Sequence, residues 1–203
     1  MTWIALDGPD GCGKSSQAVA LVAWLRDRGR AVVHVREPGS TPVGEALRSL
    51  LLSPETGDLR TITEALLFSA ARAELVEKVV APALQRGEIV VAERCYLATV
   101  VYQALAGTPP LDPEWVFDLT RRVHGAHLPD AIFVLDVPPH VAMQRRRRRT
   151  NDRIEARGAD YHERVRRGFV RACELEPRAR LVDASRSFDV VQADLRSNVV
   201  EMS

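Results

Sequence analysis

The sequence predicts an α/β fold with a five-stranded parallel sheet and helices on both faces. Three observations carry this. Short apolar runs alternate with longer stretches of helical periodicity. Those runs are apolar at nearly every position, as in strands buried on both faces. A glycine-rich turn joins the first run directly to an amphipathic stretch, as in a strand–loop–helix unit.

The strands are expected at residues 2–6, 31–36, 88–92, 131–136 and 180–183. The first helix is read over 15–28, where Ala18, Leu21, Val22 and Leu25 form one face and Gly29 is a natural stop. A long helix over 63–86 is expected to bend near Pro82 and end at Gly87. Further helices are read at 43–52, 97–106, 113–123, 139–149, 161–174 and 188–202. The segment 107–113 carries three prolines and reads as a loop. No repeat or linker divides the chain, so residues 1–203 are expected to form one domain. Ligands are then expected at the carboxyl ends of the strands.

The 203 residues include 28 Lys and Arg against 27 Asp and Glu, a net charge of +1 that argues against a nucleic-acid or acidic-membrane partner. Lysine occurs only at Lys14 and Lys78, so arginine identity alone carries little information. Cys12, Cys95 and Cys173 form no C-x-x-C pair or Cys/His cluster, so the spacing suggests neither a disulfide framework nor a zinc site. The N-terminal apolar run ends at Asp7, too short for a signal peptide, and no run reaches membrane-spanning length. A cytoplasmic protein is the expectation.

After the first strand comes Gly8-Pro9-Asp10-Gly11-Cys12-Gly13-Lys14-Ser15, a full match to G-x-x-x-x-G-K-[ST]. The glycines let backbone N–H groups wrap an anionic oxygen, and the following helix adds its positive end. Lys14 can neutralise β- and γ-phosphates, and the Ser15 hydroxyl can ligate Mg²⁺. This predicts a nucleoside triphosphate bound along residues 8–16, including Ser16, which the resemblance given below implies to be ATP. It leaves the acceptor open, because switch GTPases, motor ATPases and small-molecule kinases share the loop.

Four further segments narrow the choice. Arg36-Glu37-Pro38-Gly39-Ser40-Thr41-Pro42, followed by Gly44-Glu45 and Arg48-Ser49-Leu50-Leu51, resembles R-E-P-G-G-T-x-x-G-E-x-x-R-x-x-L-L of the thymidylate kinase family. Glu64 to Arg72 resembles its E-x-L-L-F-x-A-x-R helix. Glu93-Arg94 with Thr99, Tyr102 and Gln103 resembles its D-R-Y-x-x-S-x-x-A-Y-Q stretch. Asp152-Arg153-Ile154-Glu155 resembles the D-R-I-E of its lid.

The resemblance implies the nucleoside-monophosphate kinase fold and transfer of the γ-phosphate of ATP to dTMP, with Mg²⁺. Alternatives are a paralogue acting on another nucleoside monophosphate, and a nucleotide sensor with weak transfer. Phe68 and Arg72, four apart on one helical face, are implied to stack and hydrogen-bond thymine. Arg94 is implied to bridge donor and acceptor phosphates, and Arg48 and Gln103 to meet the monophosphate or base. Tyr102 is implied to crowd the sugar 2′ position. Asp10, Glu37 and Thr99 complete the implied acceptor site, and Ser15 with Glu93 the implied metal site. Within a lid at about 145–158, the arginine run 145–149 is implied to supply a transition-state cation. Arg145, Arg147 and Arg149 are the candidates, and Lys14, Glu93 and Arg94 complete the implied catalytic set. A homodimer is likewise implied.

This sequence departs from the family pattern at Asp7 and Glu93, where Glu and Asp are usual, and at Ser40, Cys95, Tyr96 and Ala98. With the first and third strands expected as neighbours, the exchanged lengths at Asp7 and Glu93 suggest either two carboxylates sharing one task or two independent, tolerated swaps.

Overall fold

The computed structural model describes residues 2–146 and 152–201. Five parallel strands, β1 (Thr2–Asp7), β2 (Val32–Arg36), β3 (Ile89–Glu93), β4 (Ala131–Asp136) and β5 (Ala179–Asp183), form one sheet in the order β2-β3-β1-β4-β5. The central strands β1 and β4 and nearly all of β3 are buried, whereas the edge strands β2 and β5 are partly exposed.

The helices are α1 (Lys14–Arg26), α2 (Pro42–Leu52), α3 (Thr61–Leu75), α4 (Ala81–Gln85), α5 (Tyr96–Thr99), α6 (Pro113–His124), α7 (Pro139–Arg146), α8 (Ala159–Leu175) and α9 (Phe188–Glu201). Their starts follow local chemistry. Thr41 accepts the Gly44 N–H ahead of Pro42, and Asp112 accepts the Glu114 N–H ahead of Pro113.

Alternation along the strands divides the core in two. Trp3, Ala5, Val90, Ala92, Ile132 and Val134 face a cluster completed by residues of α3, α4, α5 and α8. Ile4, Leu6, Ile89, Val91, Phe133 and Leu135 face a second cluster with α1 and α9. Each of the sheet's faces is therefore covered, as the sequence pattern predicts.

The expected long helix is interrupted differently from the predicted bend at Pro82. A π turn over Val76–Val80 precedes it, in which the Ala81 N–H reaches Val76 O. Pro82 has no N–H to continue an α ladder, so the irregularity is absorbed one turn earlier. Val100–Leu105 also forms a π turn, continuing α5 through Tyr102 and Gln103. Such turns concentrate at functional sites.

Candidate active site

Every strand ends at the same rim, and the loops that follow enclose a cleft of about 890 Å³. At one end the 8–15 turn wraps the start of α1. A side chain at Gly11 would lie 2.4 Å from Ala142 O, and Gly13 caps α1 at φ 99°, a conformation that favours glycine. Lys14 Nζ lies 3.3 Å from Asp10 Oδ1 and 3.4 Å from Pro9 O. Arg145 donates to Cys12 O at 3.2 Å and Ala184 O at 3.1 Å, joining the turn to the loop after β5. Ala184, Arg186 and Phe188 line this end, a contribution the sequence reading missed because no motif marks them.

Arg94 sits between the two ends. It follows β3 at φ 71°, a strained conformation for a residue with a side chain. Its backbone N–H donates to Leu6 O, extending the pairing with β1 by one step. The guanidinium donates to Asp7 Oδ1 at 3.2 Å, Gly8 O at 3.0 Å, Tyr102 Oη at 3.3 Å and Asp10 Oδ1. Burial works against its charge, but the carboxylates of Asp10 and Asp7 hold it charged well past its ordinary range. Asp10 is reciprocally held far below the usual carboxylate range: burial opposes this, and Arg94, Lys14 and the Tyr102 hydroxyl outweigh it.

The expected sharing between Asp7 and Glu93 does not hold. Leu6 pairs with Glu93 across β1 and β3, so alternation sends Asp7 and Glu93 to opposite faces. Asp7 accepts from Gly8, Cys95 and Ala98 N–H and from Arg94. Its burial raises its pKa despite Arg94. Glu93 faces α1, where it accepts from Ser15 and lies 3.1 Å from His34 Nε2. Burial would raise the Glu93 carboxyl; His34 and Ser15 bring it below its ordinary value. Ser15 and Glu93 thus form a carboxylate–hydroxyl pair beside the phosphate-loop turn.

The far end is built around Arg72, which is 3% exposed. Its Nε donates to Glu37 Oε2 at 2.6 Å, and its Nη2 donates to Thr99 Oγ1 at 3.0 Å and Cys95 O at 3.3 Å. Its Nη1 is buried without a protein partner, as is Oε1 of Gln103. Burial raises the Glu37 carboxyl, with Arg72 pulling the other way. Phe68 and Arg48 also line this end, and Arg48 Nη1 donates to Pro38 O at 3.0 Å. Burial and then the neighbouring Arg36 lower the Arg48 pKa. Such a poorly compensated guanidinium favours an arriving anion.

Ser40, where the family pattern has glycine, adopts φ 65°. Its hydroxyl accepts the Arg36 N–H at 2.9 Å and its N–H donates to Glu45 Oε1 at 2.8 Å, which offsets the left-handed backbone.

Arg147 and Arg149 lie outside the described residues. Arg153 and Arg157, which the sequence places as a continuation of the basic run, are bound rather than solvated. Both meet the carboxylate of Glu64, at 2.8 and 2.7 Å. Glu64 itself was legible only as part of a motif, although it lies four residues before Phe68 on the same helical face.

A parallel sheet with a phosphate-binding turn after its first strand, facing a second buried site across a strained arginine, defines a nucleotide-binding kinase of the phosphate-loop class. A family model described as thymidylate kinase matches residues 6–195. The thymidylate kinase of Symbiobacterium thermophilum is 41% identical over 201 residues, covering 98% of this chain and 93% of that protein. That of Thermomicrobium roseum is 42% identical, covering 100% and 96%, and that of Bordetella pertussis 44%, covering 98% and 95%. The chain belongs to the thymidylate kinase family.

Proposed function

We propose that this protein transfers the γ-phosphoryl group of ATP to dTMP, giving dTDP and ADP. The observation that carries the acceptor is the unpaired edge at the far end of the cleft. Arg72 Nη1 is a buried donor and Gln103 Oε1 a buried acceptor, neither with a protein partner, beside the ring of Phe68. A thymine edge, with a carbonyl next to a ring N–H, satisfies both while its face stacks on Phe68.

In this reading Lys14 and the backbone of residues 8–15 hold the β- and γ-phosphates of ATP. Arg145, Ala184 and Phe188 border the nucleoside end. Arg48 and Arg94 hold the acceptor phosphate, and Tyr102 packs beside its sugar. Asp7 orients Arg94 from the buried side. Asp10 occupies Lys14, Arg94 and Tyr102 together, keeping both cations facing the gap where phosphoryl transfer occurs. Catalysis comes from positioning and charge neutralisation, since the acceptor phosphate is already ionised.

The Ser15–Glu93 pair fits Mg²⁺: one hydroxyl and one ionised carboxylate suffice where the ion completes its shell with water and phosphate oxygens. Among the described residues no cluster of three or more His, Cys, Asp or Glu offers an all-protein cage. When bound, the ion withdraws charge from the phosphate oxygens. The lid role expected for 145–158 falls, among the described residues, to Arg145, Asp152, Ile154 and Glu155, which line the cleft of a single domain.

We also propose a homodimer through α2 and α3, where Val43, Leu50 and Leu66 leave apolar surface exposed. A cytoplasmic setting accords with three free cysteines. Among the described residues no helix is long and apolar enough to cross a membrane.

The test is ADP release coupled to a panel of nucleoside monophosphates. dTMP should exceed dCMP, dAMP and dGMP in kcat/KM by at least roughly 100-fold, as expected where a buried polar edge is left unpaired by the wrong base. Preference for a purine would end this acceptor assignment.

A further inference from the structure

Glu64, Phe68 and Arg72 recur at four-residue spacing along one face of α3. Phe68 and Arg72 line the cleft, whereas Glu64 has no role in holding phosphate. It is nevertheless 1% exposed and ties two other segments to α3. Its Oε1 accepts from Arg157 Nη2 at 2.7 Å and lies 2.8 Å from Arg153 Nη2. Its Oε2 accepts from Gln103 Nε2 at 3.0 Å.

A carboxylate paired with two guanidinium groups presents its oxygens as hydrogen-bond acceptors. The Gln103 amide must therefore turn its N–H₂ toward Glu64, independently of how a side-chain amide is assigned from its shape. Its Oε1 then points away, fully buried and unpartnered, on a residue that lines the acceptor end. Were the amide reversed, Gln103 Oε1 would face a carboxylate and the cleft would present two donors, with Arg72 Nη1 the other.

The same carboxylate anchors the 152–158 segment. Arg153 additionally donates from Nε to Leu51 O at 2.8 Å, and Arg157 donates from Nη1 to Tyr161 Oη at 2.8 Å. Asp152, Ile154 and Glu155 of this segment line the cleft.

We propose that Glu64 is a positioning residue for base selection. It locks the polarity of the Gln103 amide, so that the site offers one donor and one acceptor in fixed order. This rests on the pyrimidine-acceptor reading above. A 4-oxo pyrimidine presents a carbonyl and a ring N–H that match the order. A 4-amino pyrimidine presents the reverse and leaves two buried groups unpaired.

The experiment compares kcat and KM for dTMP and dCMP in wild type, Glu64→Gln, Arg157→Met and the exchanged pair Glu64→Gln/Gln103→Glu. A neutral amide at position 64 can donate or accept, so the Gln103 amide is free to turn. Glu64→Gln is expected to lower the dTMP/dCMP ratio of kcat/KM by about tenfold or more, mainly through KM for dTMP. KM for ATP should stay unchanged. The exchanged pair restores an acceptor facing the base and should recover most of the ratio. Arg157→Met loosens the segment but keeps the Glu64–Gln103 bond, so its ratio should remain that of wild type whatever its turnover.

A folded Glu64→Gln with wild-type selectivity overturns the proposal. So does an Arg157→Met that loses selectivity as much as Glu64→Gln, because segment seating would then explain both. If Glu64→Gln does not fold, the exchanged pair decides: retained selectivity supports the polarity lock and lost selectivity refutes it. Failure of both to fold makes Glu64 a purely structural charge, and the proposal falls. A wild-type enzyme without preference for dTMP over dCMP would instead overturn the acceptor reading itself.

Discussion

Arg72→Lys isolates what the planar guanidinium contributes to the acceptor site. Removing the charge altogether would leave Glu37, 5% exposed, as a buried carboxylate without its cation, at a cost of roughly 3–5 kcal/mol in stability. Lysine keeps the charge and can still meet Glu37. It cannot also reach Thr99 Oγ1, Cys95 O and a base, because an ammonium has no rigid fork. The hydrogen bond lost to the base involves a charged donor, worth about 1.5–3 kcal/mol. That corresponds to roughly a 10- to 100-fold fall in kcat/KM for dTMP. The assay is steady-state ADP release at saturating ATP, with a thermal melt to show that the variant is folded. KM for ATP should be unchanged, since Arg72 lies at the opposite end from the phosphate-loop turn. A folded Arg72→Lys enzyme with wild-type kcat/KM for dTMP would refute the placement of the base on Arg72 Nη1.

Four further outcomes follow from the same geometry. Lys14→Ala should lower kcat by roughly 100- to 1,000-fold in a folded protein, the scale of a lost charge-stabilising group, and single-turnover kinetics will read it. Arg145→Ala should raise KM for ATP more than it lowers kcat, because its guanidinium joins the phosphate-loop turn to the loop after β5. In a double-mutant cycle, Asp7→Glu and Glu93→Asp should add in kcat/KM to within about 0.5 kcal/mol, since they share no hydrogen-bond partner; coupling above about 1 kcal/mol would contradict this. His124 is buried against Trp3 and Tyr96, and burial, with Arg72 adding to it, lowers its pKa to about 3. For a base whose folded pKa lies below its unfolded value of 6.5, stability is fully present above pH 6.5 and is lost as pH falls toward 3. Urea denaturation should show wild type losing about 2 kcal/mol more than His124→Phe between roughly pH 6.5 and pH 5.

The phosphate-loop turn and the sheet were legible in the sequence because both are encoded locally. Glycines at 8, 11 and 13 specify a backbone path that few other residues can take, and the apolar runs specify strands buried on two faces. The Phe68–Arg72 pair was legible for the same reason, through helical spacing.

What only the tertiary structure decided is partnership. Arg72 finds Glu37 and Thr99, separated from it by 35 and 27 residues, because parallel crossovers bring the ends of β2 and β3 beside α3. Arg153 and Arg157 lie just beyond the arginine run, yet a carboxylate 93 residues from Arg157 draws them inward. Asp7 and Glu93 look interchangeable in sequence, but the β1–β3 register sends them to opposite faces of the sheet. Residue type and local spacing record what a side chain can do; the register and crossovers of the sheet decide which distant group it does it with.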